Sequence, residues 1–348
     1  MQKAVRRSFA KSFEGLGSRA AFLAHPLGAA TKLAETLHIG DRRHKFSATR
    51  FLMGTQVSIV ALHLSKDAAE KAVALAFNEI ERLSAIFDRH RSGSPVSQLN
   101  ETGRLCDVAP ELFEVMVKAK SYCHRSGGAF DSSVLPVLEM MQNNCDSKGQ
   151  VKLNQSDFDD ALALVGSDMI HVSESEISFD RRFMAVTLDG IGRGYIVDRA
   201  SDILVDNGIE NHLICAGGDI RARGERAPGQ SWLVPIDKPS SQGGYSAVIK
   251  LKDSAVATSY GSEFYFDAEG YRQDEAIPKT VFAPHVGAGL SVVAPSVMEA
   301  DALSTSAFVM NFESGLRFIN EQKKSECLIS GLSGAKMFSR NWDALVGI

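Results

Sequence analysis

The chain of 348 residues lacks the sequence signs of several common protein classes. No run approaches the ~20 apolar residues that a membrane-spanning helix needs. There is no Walker loop with Gly-Lys-Ser/Thr, no Gly-x-Ser-x-Gly elbow and no His-Glu-x-x-His motif, which argues against P-loop, α/β-hydrolase and zinc-protease chemistry. The nine histidines show no metal-ligand spacing.

Cysteine is scarce and uninformative about compartment. The five cysteines are odd in number and widely scattered, at positions 106, 123, 145, 215 and 327. No Cys-x-x-Cys pair indicates a zinc site or redox chemistry. Cysteine usage therefore leaves the cellular compartment open.

Charge is distributed unevenly. The net charge is −4, yet the first 50 residues hold ten Lys/Arg against three Asp/Glu, so the rest of the chain carries −11. An acidic body argues against nucleic acid as the main partner, because neutralising phosphates needs a basic face.

The basic leader has two interpretations. Residues 6–11 (RRSFAK) resemble a twin-arginine export signal, which favours a periplasmic or cell-envelope location. Glu14 and Arg19 interrupt the segment that follows, which favours instead a disordered or loosely helical extension of a cytoplasmic protein. We assign residues 1–47 to this leader and residues 48–348 to one domain.

Hydrophobic periodicity predicts an α+β fold with mixed or antiparallel sheets, since early helices are followed by strands and then by strand–helix alternation. Five helices are predicted. One runs from after Ser65 to about Phe87, one begins at Pro110, one spans Ser156–Val165, one ends at about Asn207 and one starts near Val297. The predicted strands are Gln56–Leu64, Leu213–Ala216, Trp232–Ile236, Ala247–Leu251, Glu263–Phe266 and Leu290–Ala294. Arg89–Asn100 is predicted to be a loop.

The stretch Thr187–Asp198 carries glycines at 190, 192 and 194, with Arg193 between the last two, before a predicted helix. Closely spaced glycines let the backbone turn sharply and approach a ligand. A helix N-terminus favours an anion, and arginine binds phosphate oxygens in a bidentate way. A tight strand-to-helix turn with a surface arginine is the alternative, and the local spacing does not decide between the two.

A second polar group opens the helix near Val297. Ser296 and Glu299 form a capping box, while Asp301 and Thr305 share a helix face with Ser304 beside them. One carboxylate with hydroxyls suits Mg²⁺ better than zinc or iron. A merely solvated polar face is the alternative.

Two further turns are candidates for ligand contact. In Gly128-Ala-Phe-Asp131, Phe130 is suited to line a ring pocket and Asp131 to accept hydrogen bonds, or the segment is only a helix C-cap and turn. Cys215–Asp219 is either a strand-end turn or a close backbone approach to a ligand. Asn100 is interpreted as a polar loop end.

Taken together and in order, these segments resemble the FAD:protein FMN transferase (ApbE) family over roughly residues 48–345. The matching segments are Met53–Thr55, Ser97–Asn100, Gly128–Asp131, Gly190–Asp198, Ala216–Asp219, Ala257–Ser259 and Glu299–Thr305. The resemblance implies a two-lobed, T-fold-like α+β architecture that holds FAD in a cleft. It also implies Mg²⁺ at the pyrophosphate and transfer of FMN to a threonine of an acceptor flavoprotein, with release of AMP.

The resemblance also implies roles for individual residues. The FAD contacts would be Met53, Ala129, Phe130, Asp131, Thr187, Arg193 and Asp274. The Mg²⁺ ligands would be the Gly190 carbonyl, Asp301, Ser304 and Thr305. Asp301, Thr305 and Asp189 would take part in catalysis.

Two positions depart from the family pattern. The family's Asp-Leu-Gly-Gly is Thr187-Leu-Asp-Gly here, and Asp189 is expected to substitute because positions two apart on a strand face the same side. The family's histidine is replaced by Asp274, although Pro278 and Thr280 remain; a missing acid/base group typically costs ~10²–10⁴ in rate. A flavin-binding accessory protein and an FAD pyrophosphatase therefore stay as alternatives.

Overall fold

The computed structural model describes residues 33–39, 43–144, 154–238, 244–260, 288–331 and 334–346. Over these ranges the helices are α1 Lys66–Phe87, α2 Pro95–Thr102, α3 Pro110–Arg125, α4 Leu135–Asn143, α5 Gln155–Leu162, α6 Gly192–Asp206, α7 Val297–Val309 and α8 Phe312–Asn320. Asp274, Pro278, Thr280 and the strand expected at Glu263–Phe266 lie outside the described residues.

The strands form one large sheet and two small ones. They are β1 Leu33–Ile39, β2 Arg43–Leu52, β3 Thr55–His63, β4 Arg104–Cys106, β5 Ile170–Val172, β6 Glu176–Phe179, β7 Asn211–Ala216, β8 Asp219–Arg223, β9 Trp232–Asp237, β10 Tyr245–Leu251, β11 Ser254–Tyr260, β12 Gly289–Ala294, β13 Glu326–Ser330 and β14 Lys336–Phe338. The nine-stranded sheet has the order β1-β2-β3-β7-β8-β11-β12-β13-β14. Its neighbours pair antiparallel throughout the described residues, so the predicted α+β class is confirmed.

Alternation along the central strands buries the large sheet on both faces. In β3, Val57, Ile59 and Ala61 belong to the core under the helices, whereas Val60 and Leu62 belong to a second core. The second core is covered by β9 and β10, which form a separate two-stranded sheet. Because side chains alternate along a strand, one strand contributes to both layers.

The helix-facing side of the sheet packs against α1, α6 and α7. The expected helix after Ser65 is confirmed, and the Ser65 side chain accepts from Ala68 N–H at 3.2 Å. The expected apolar face, including Phe77 and Ile80, is buried. The apolar faces of these helices pack against the sheet and thereby fix the helices that carry the candidate site.

The loop predicted for Arg89–Asn100 is wrong over its second half, where α2 forms. Ser94 is the N-cap and accepts from Ser97 N–H at 3.0 Å, and Pro95 occupies the first turn. Gly103 ends the helix with a φ of 73°. The short helix is mostly polar in sequence, yet it buries Val96 and Leu99 against the main core.

The sheet begins before the assigned domain start. β1 pairs with β2, and β2 pairs with β3 along its length. The boundary placed at residues 47/48 therefore falls inside β2.

Within the described residues, we find no helix whose length and apolarity would suit a membrane span.

Candidate functional site

Three predicted segments meet at Gly190. A Cβ added at Gly190 would lie 2.9 Å from Thr305 Oγ1 and 3.3 Å from Phe130 Cε2. The space is too small for a side chain, so only glycine allows the turn, the helix α7 and the Gly-Ala-Phe-Asp segment to touch. Residues 60 to 175 positions apart in sequence are thus brought together as the motifs predict.

The glycine turn is built from backbone hydrogen bonds. Thr187 N–H donates to the Ser132 carbonyl at 2.8 Å, and Asp189 N–H donates to Thr187 Oγ1 at 3.2 Å. Gly192 N–H donates to the Leu188 carbonyl at 2.7 Å as α6 begins. The turn therefore leads into the helix start expected from the sequence, although residues 184–188 before it lie in no strand.

Asp301, on α7, is buried against the first turn of α6. The residue is 4% exposed, and its Oδ2 accepts from Gly194 N–H at 3.4 Å. Burial raises the pKa of Asp301 well above its ordinary value; the charge of Asp219 adds to this, and Arg193 opposes it. The alternative of a merely solvated polar face does not hold, and a cation beside this carboxylate would favour its ionised form.

Ser304 and Thr305 lie on the same helix but differ in their partners. Ser304 Oγ donates to the Asp301 carbonyl at 3.0 Å and lies 2.9 Å from Ser259 Oγ on β11. Thr305 instead faces Gly190. The hydroxyl of Ser304 already has two protein partners, and its role as a metal ligand stays a prediction.

Arg193 forms an ion pair with Asp219 through its Nε. The Asp219 side chain is only 2% exposed, whereas that of Arg193 is 38% exposed. Burial raises the pKa of Asp219, and the guanidinium of Arg193 opposes that rise. The sequence interpretation left Asp219 in a turn of undecided role, although the alternation of Asp219, Arg221 and Arg223 with apolar residues was a signal for a polar strand face.

Asp189 lies at the rim of the site. Its side chain is 69% exposed and accepts from Arg89 Nε at 3.3 Å and Nη2 at 3.2 Å. The substitution of Asp189 for the family's aspartate stays a prediction. Arg89, in the segment expected to be a loop, was not identified from sequence.

Asp131 is buried and binds its own turn. Its Oδ1 accepts from Ser133 N–H at 2.9 Å and from Ser133 Oγ at 2.6 Å, which caps a short 3₁₀ turn. Ala129 and Phe130 are also buried, and Phe130 packs edge-on to Tyr122 at 6.3 Å between ring centroids. This buried segment therefore packs closely against the glycine turn.

Met53 lies in the tight turn between β2 and β3. Its φ is 54° and that of Gly54 is 69°. The next residue, Thr55, contacts Gly217, where an added Cβ would lie 3.1 Å from Thr55 Oγ1. Met53 is thereby placed at the end of the sheet that also carries the β7–β8 turn and Asp219.

Asn100 has a structural role that the sequence did not reveal. Its Nδ2 donates to the Val186 carbonyl at 2.9 Å, and its Oδ1 accepts from Val186 N–H at 2.8 Å. The Asn100 side chain on α2 thus satisfies both backbone groups of Val186 and fixes the segment immediately before Thr187.

Among the described residues there is no group of three or more His, Cys, Asp or Glu side chains placed to hold a metal. The Thr305 hydroxyl lies against Gly190, and the Asp301 carboxylate lies one helical turn earlier on α7, at Gly194 N–H. This donor set is of the kind that Mg²⁺ uses when substrate phosphates and water complete its shell.

The fold and the order of these segments define a known family. The model of the ApbE family matches residues 53–329, and the chain belongs to this family. Two relatives are named FAD:protein FMN transferase. The one from Vibrio cholerae is 27% identical over 76% of this chain and 81% of its own length. The one from Haemophilus influenzae is 26% identical over 72% and 75%.

Solved structures agree on the fold. The flavin transferase ApbE from Vibrio cholerae superposes with a TM-score of 0.71 at 23% identity, covering 90% of this chain and all of that one. The ApbE protein from Thermotoga maritima gives a TM-score of 0.73 at 23% identity, covering 92% of this chain and all of that one.

Proposed function

We propose that this protein transfers FMN from FAD to a threonine hydroxyl of an acceptor flavoprotein in a Mg²⁺-dependent reaction that releases AMP. One observation carries the proposal: Gly190 is packed so closely by Phe130 and Thr305, from two other family motifs, that an added Cβ would lie 3.3 Å from Phe130 Cε2 and 2.9 Å from Thr305 Oγ1. The names of the relatives support flavin transfer as the type of reaction.

The residues next to the glycine turn are suited to bind the flavin substrate. Phe130, buried beside Gly190, supports the glycine turn from behind, and the turn that carries Met53 lies at the same end of the sheet as Asp219. Arg193, held by Asp219, supplies positive charge for the pyrophosphate. We place the FAD pyrophosphate over the glycine turn and assign Ala129 and Asp131 to shaping the ring pocket.

The residues around Gly190 fit Mg²⁺. Asp301, Thr305 and the Gly190 carbonyl are oxygen donors, and the space above Gly190 would be filled by any Cβ. When bound, Mg²⁺ supplies positive charge that offsets the negative charge developing on the pyrophosphate oxygens. Ser304 supports this face through Ser259.

The proposed reaction is a displacement at phosphorus. The acceptor threonine oxygen forms a bond to the phosphorus of the FMN half, and the bond from that phosphorus to the bridging oxygen breaks. AMP leaves with the electron pair of that bond. We assign the threonine proton to Asp189, the exposed carboxylate at the rim, which Arg89 orients through its guanidinium.

The leader suggests where the reaction takes place. We propose export to the periplasm or cell envelope through residues 6–11, in line with their twin-arginine pattern. Replacing both arginines with lysine is expected to retain the protein in the cytoplasm of a bacterial host; equal export of that variant would contradict the proposal.

The decisive experiment is covalent labelling of an acceptor. The full-length protein is incubated with FAD, Mg²⁺ and a flavoprotein domain that carries the family's threonine motif, and products are followed by in-gel flavin fluorescence, mass spectrometry and chromatography. We expect an FMN adduct on the acceptor, one AMP per adduct and no labelling after threonine-to-alanine replacement. FAD binding without products would support the accessory-protein alternative, and free FMN with AMP would support the pyrophosphatase.

Variants on α7 test the metal assignment. Asp301→Asn and Thr305→Val are expected to reduce Mg²⁺-dependent labelling by at least ~10²-fold, in the range for removing a charge-stabilising group. Ser306→Ala is the matched control, because Ser306 is buried next to Thr305 but its hydroxyl donates to the Ala302 carbonyl at 2.6 Å. Equal Mg²⁺ titrations for all three variants would refute the assignment.

A further inference from the structure

The N-terminus of α7 is bound by a carboxylate from another helix. Asp198 on α6 accepts from Val297 N–H at 3.0 Å through Oδ1 and from Met298 N–H at 2.9 Å through Oδ2. The next amide, Glu299 N–H, donates to Ser296 Oγ at 3.2 Å. The first N–H groups of a helix have no acceptor within that helix. Asp198 supplies the acceptors for two of these groups in α7.

Arg221, on β8, contacts both Asp198 and the residue before α7. Its guanidinium donates to the Pro295 carbonyl just before α7, and its Nε lies 3.8 Å from Asp198 Oδ1. The side chains of Arg221 and Asp198 are only 7% and 17% exposed. The ion pair is thus shielded from water, and its loss would leave a buried guanidinium without its carboxylate.

A carboxylate of α7 likewise binds the first turn of α6. Gly194 N–H, in the first turn of α6, donates to Asp301 Oδ2 on α7. Each helix therefore presents a carboxylate to the first turn of the other. Asp301 lies about one turn beyond the amides bound by Asp198, and Thr305 lies about one turn further.

We infer that Asp198 is a positioning residue for the flavin-transfer site: by binding the first two amides of α7, it sets the separation between the glycine turn before α6 and the Asp301–Thr305 face. It acts through α7 and does not touch the substrate. The inference rests on the proposed function for its activity measurement only.

The substitution Asp198→Asn tests this role. The amide keeps the shape of the side chain, but its NH₂ group cannot accept a hydrogen bond, so one α7 amide loses its acceptor and the negative charge at the helix start is lost. Asp202, one turn later on α6, gives the matched control. It pairs with Arg199 at 3.2 Å and with Arg223 at 3.8 Å, on α6 and β8.

Activity, metal requirement and local opening are measured for the full-length protein and both variants. For Asp198→Asn we expect a tenfold or larger rise in the Mg²⁺ concentration that gives half-maximal labelling, and a tenfold or larger fall in kcat at saturating FAD. For Asp202→Asn we expect both values within twofold of the parent protein. Hydrogen exchange of residues 297–305 is expected to accelerate at least tenfold in Asp198→Asn alone.

The outcomes separate this inference from the proposed function. An Asp198→Asn variant with a lower Tm but unchanged kcat and Mg²⁺ requirement would overturn the positioning role. If the parent protein labels no acceptor, the proposed transfer fails, and Asp198 is then judged by hydrogen exchange and by Mg²⁺-dependent FAD binding followed by flavin fluorescence. Equal exchange and equal binding in the two variants would overturn the inference in that case.

Discussion

Gly194 of α6 packs directly on the backbone of Met298 of α7. A Cβ added at Gly194 would lie 2.7 Å from Met298 Cα and 2.7 Å from the Val297 carbonyl oxygen. Neither atom belongs to a flexible side chain, so the helices themselves would have to separate. The two helices that carry the glycine turn and the Asp301–Thr305 face are therefore in contact through their backbones.

Gly194→Ala is predicted to destabilise the fold by about 1–3 kcal/mol, the usual effect of overpacking, and to reduce flavin transfer by a larger factor than the fraction unfolded. The comparison is Gly166→Ala, where an added Cβ would meet the movable Met169 Cε at 2.9 Å. Chemical unfolding and the labelling assay give both quantities. Equal effects of the two substitutions would contradict the prediction.

Asn100→Ala is predicted to lower stability by about 1–3 kcal/mol, because both backbone groups of Val186 lose their partner. It is also predicted to weaken FAD binding, since Val186 immediately precedes Thr187. Asn207→Ala is the matched control: Asn207 Nδ2 donates at 2.8 Å to the Ile203 carbonyl of its own helix. Urea unfolding and FAD titration measure the two effects.

Asp219→Asn is predicted to weaken FAD binding while Asp202→Asn does not. The Asp219 carboxylate is buried and pairs with Arg193, so its neutralisation weakens the ion pair that helps to hold the guanidinium in position. The charged partner left behind costs about 1–3 kcal/mol of stability, less than for a fully buried pair because Arg193 reaches solvent. FAD affinity equal to that of the parent protein would show that Arg193 needs no anchor.

His212 predicts a loss of stability in acid. It is completely buried; Nδ1–H donates to the Ile209 carbonyl at 2.9 Å, and Nε2 accepts from Ser201 Oγ at 2.7 Å in the neutral ring. Burial lowers the pKa of His212 to about 4, and Arg223 and Arg221 contribute in the same direction. The unfolded chain, with the ordinary pKa near 6.5, binds this proton first.

The stabilising contribution of neutral His212 is therefore fully present above pH ~6.5 and is lost as the pH falls toward ~4, by about 3 kcal/mol. His212→Gln is predicted to be less stable at neutral pH but to lose less stability than the parent between pH 7 and pH 4.5. His90→Gln, at an exposed position, is the control and should keep the parent's pH dependence. Urea unfolding at several pH values measures the slopes, and identical slopes for all three proteins would refute the prediction.

The sequence predicted the elements whose signals are local. The helix after Ser65 combines an N-cap with a long apolar face, and both are seen in the structure. In α2 the caps Ser94 and Gly103 were present as well, but a polar composition concealed the helix. Its two buried side chains, Val96 and Leu99, acquire their meaning only from the core that they enter.

The site was predictable only in outline. Gly190, Phe130 and Thr305 came from motifs in a known order, and the close packing of Phe130 and Thr305 around Gly190 is visible only in the fold. Asp198 and Asp219 belong to segments that the sequence singled out, but their partners were not predictable, because each partner lies on another element. Asp301 was predicted to bind a metal, with a solvated polar face as the alternative, and helical periodicity alone does not show that a second helix covers it.

The course of β2 through residue 47 has a consequence for maturation. A chain cut between residues 47 and 48 would lose β1 and half of β2. Strand β3 would then become a partly unpaired edge strand. A processing site that preserves the whole sheet must therefore precede Leu33.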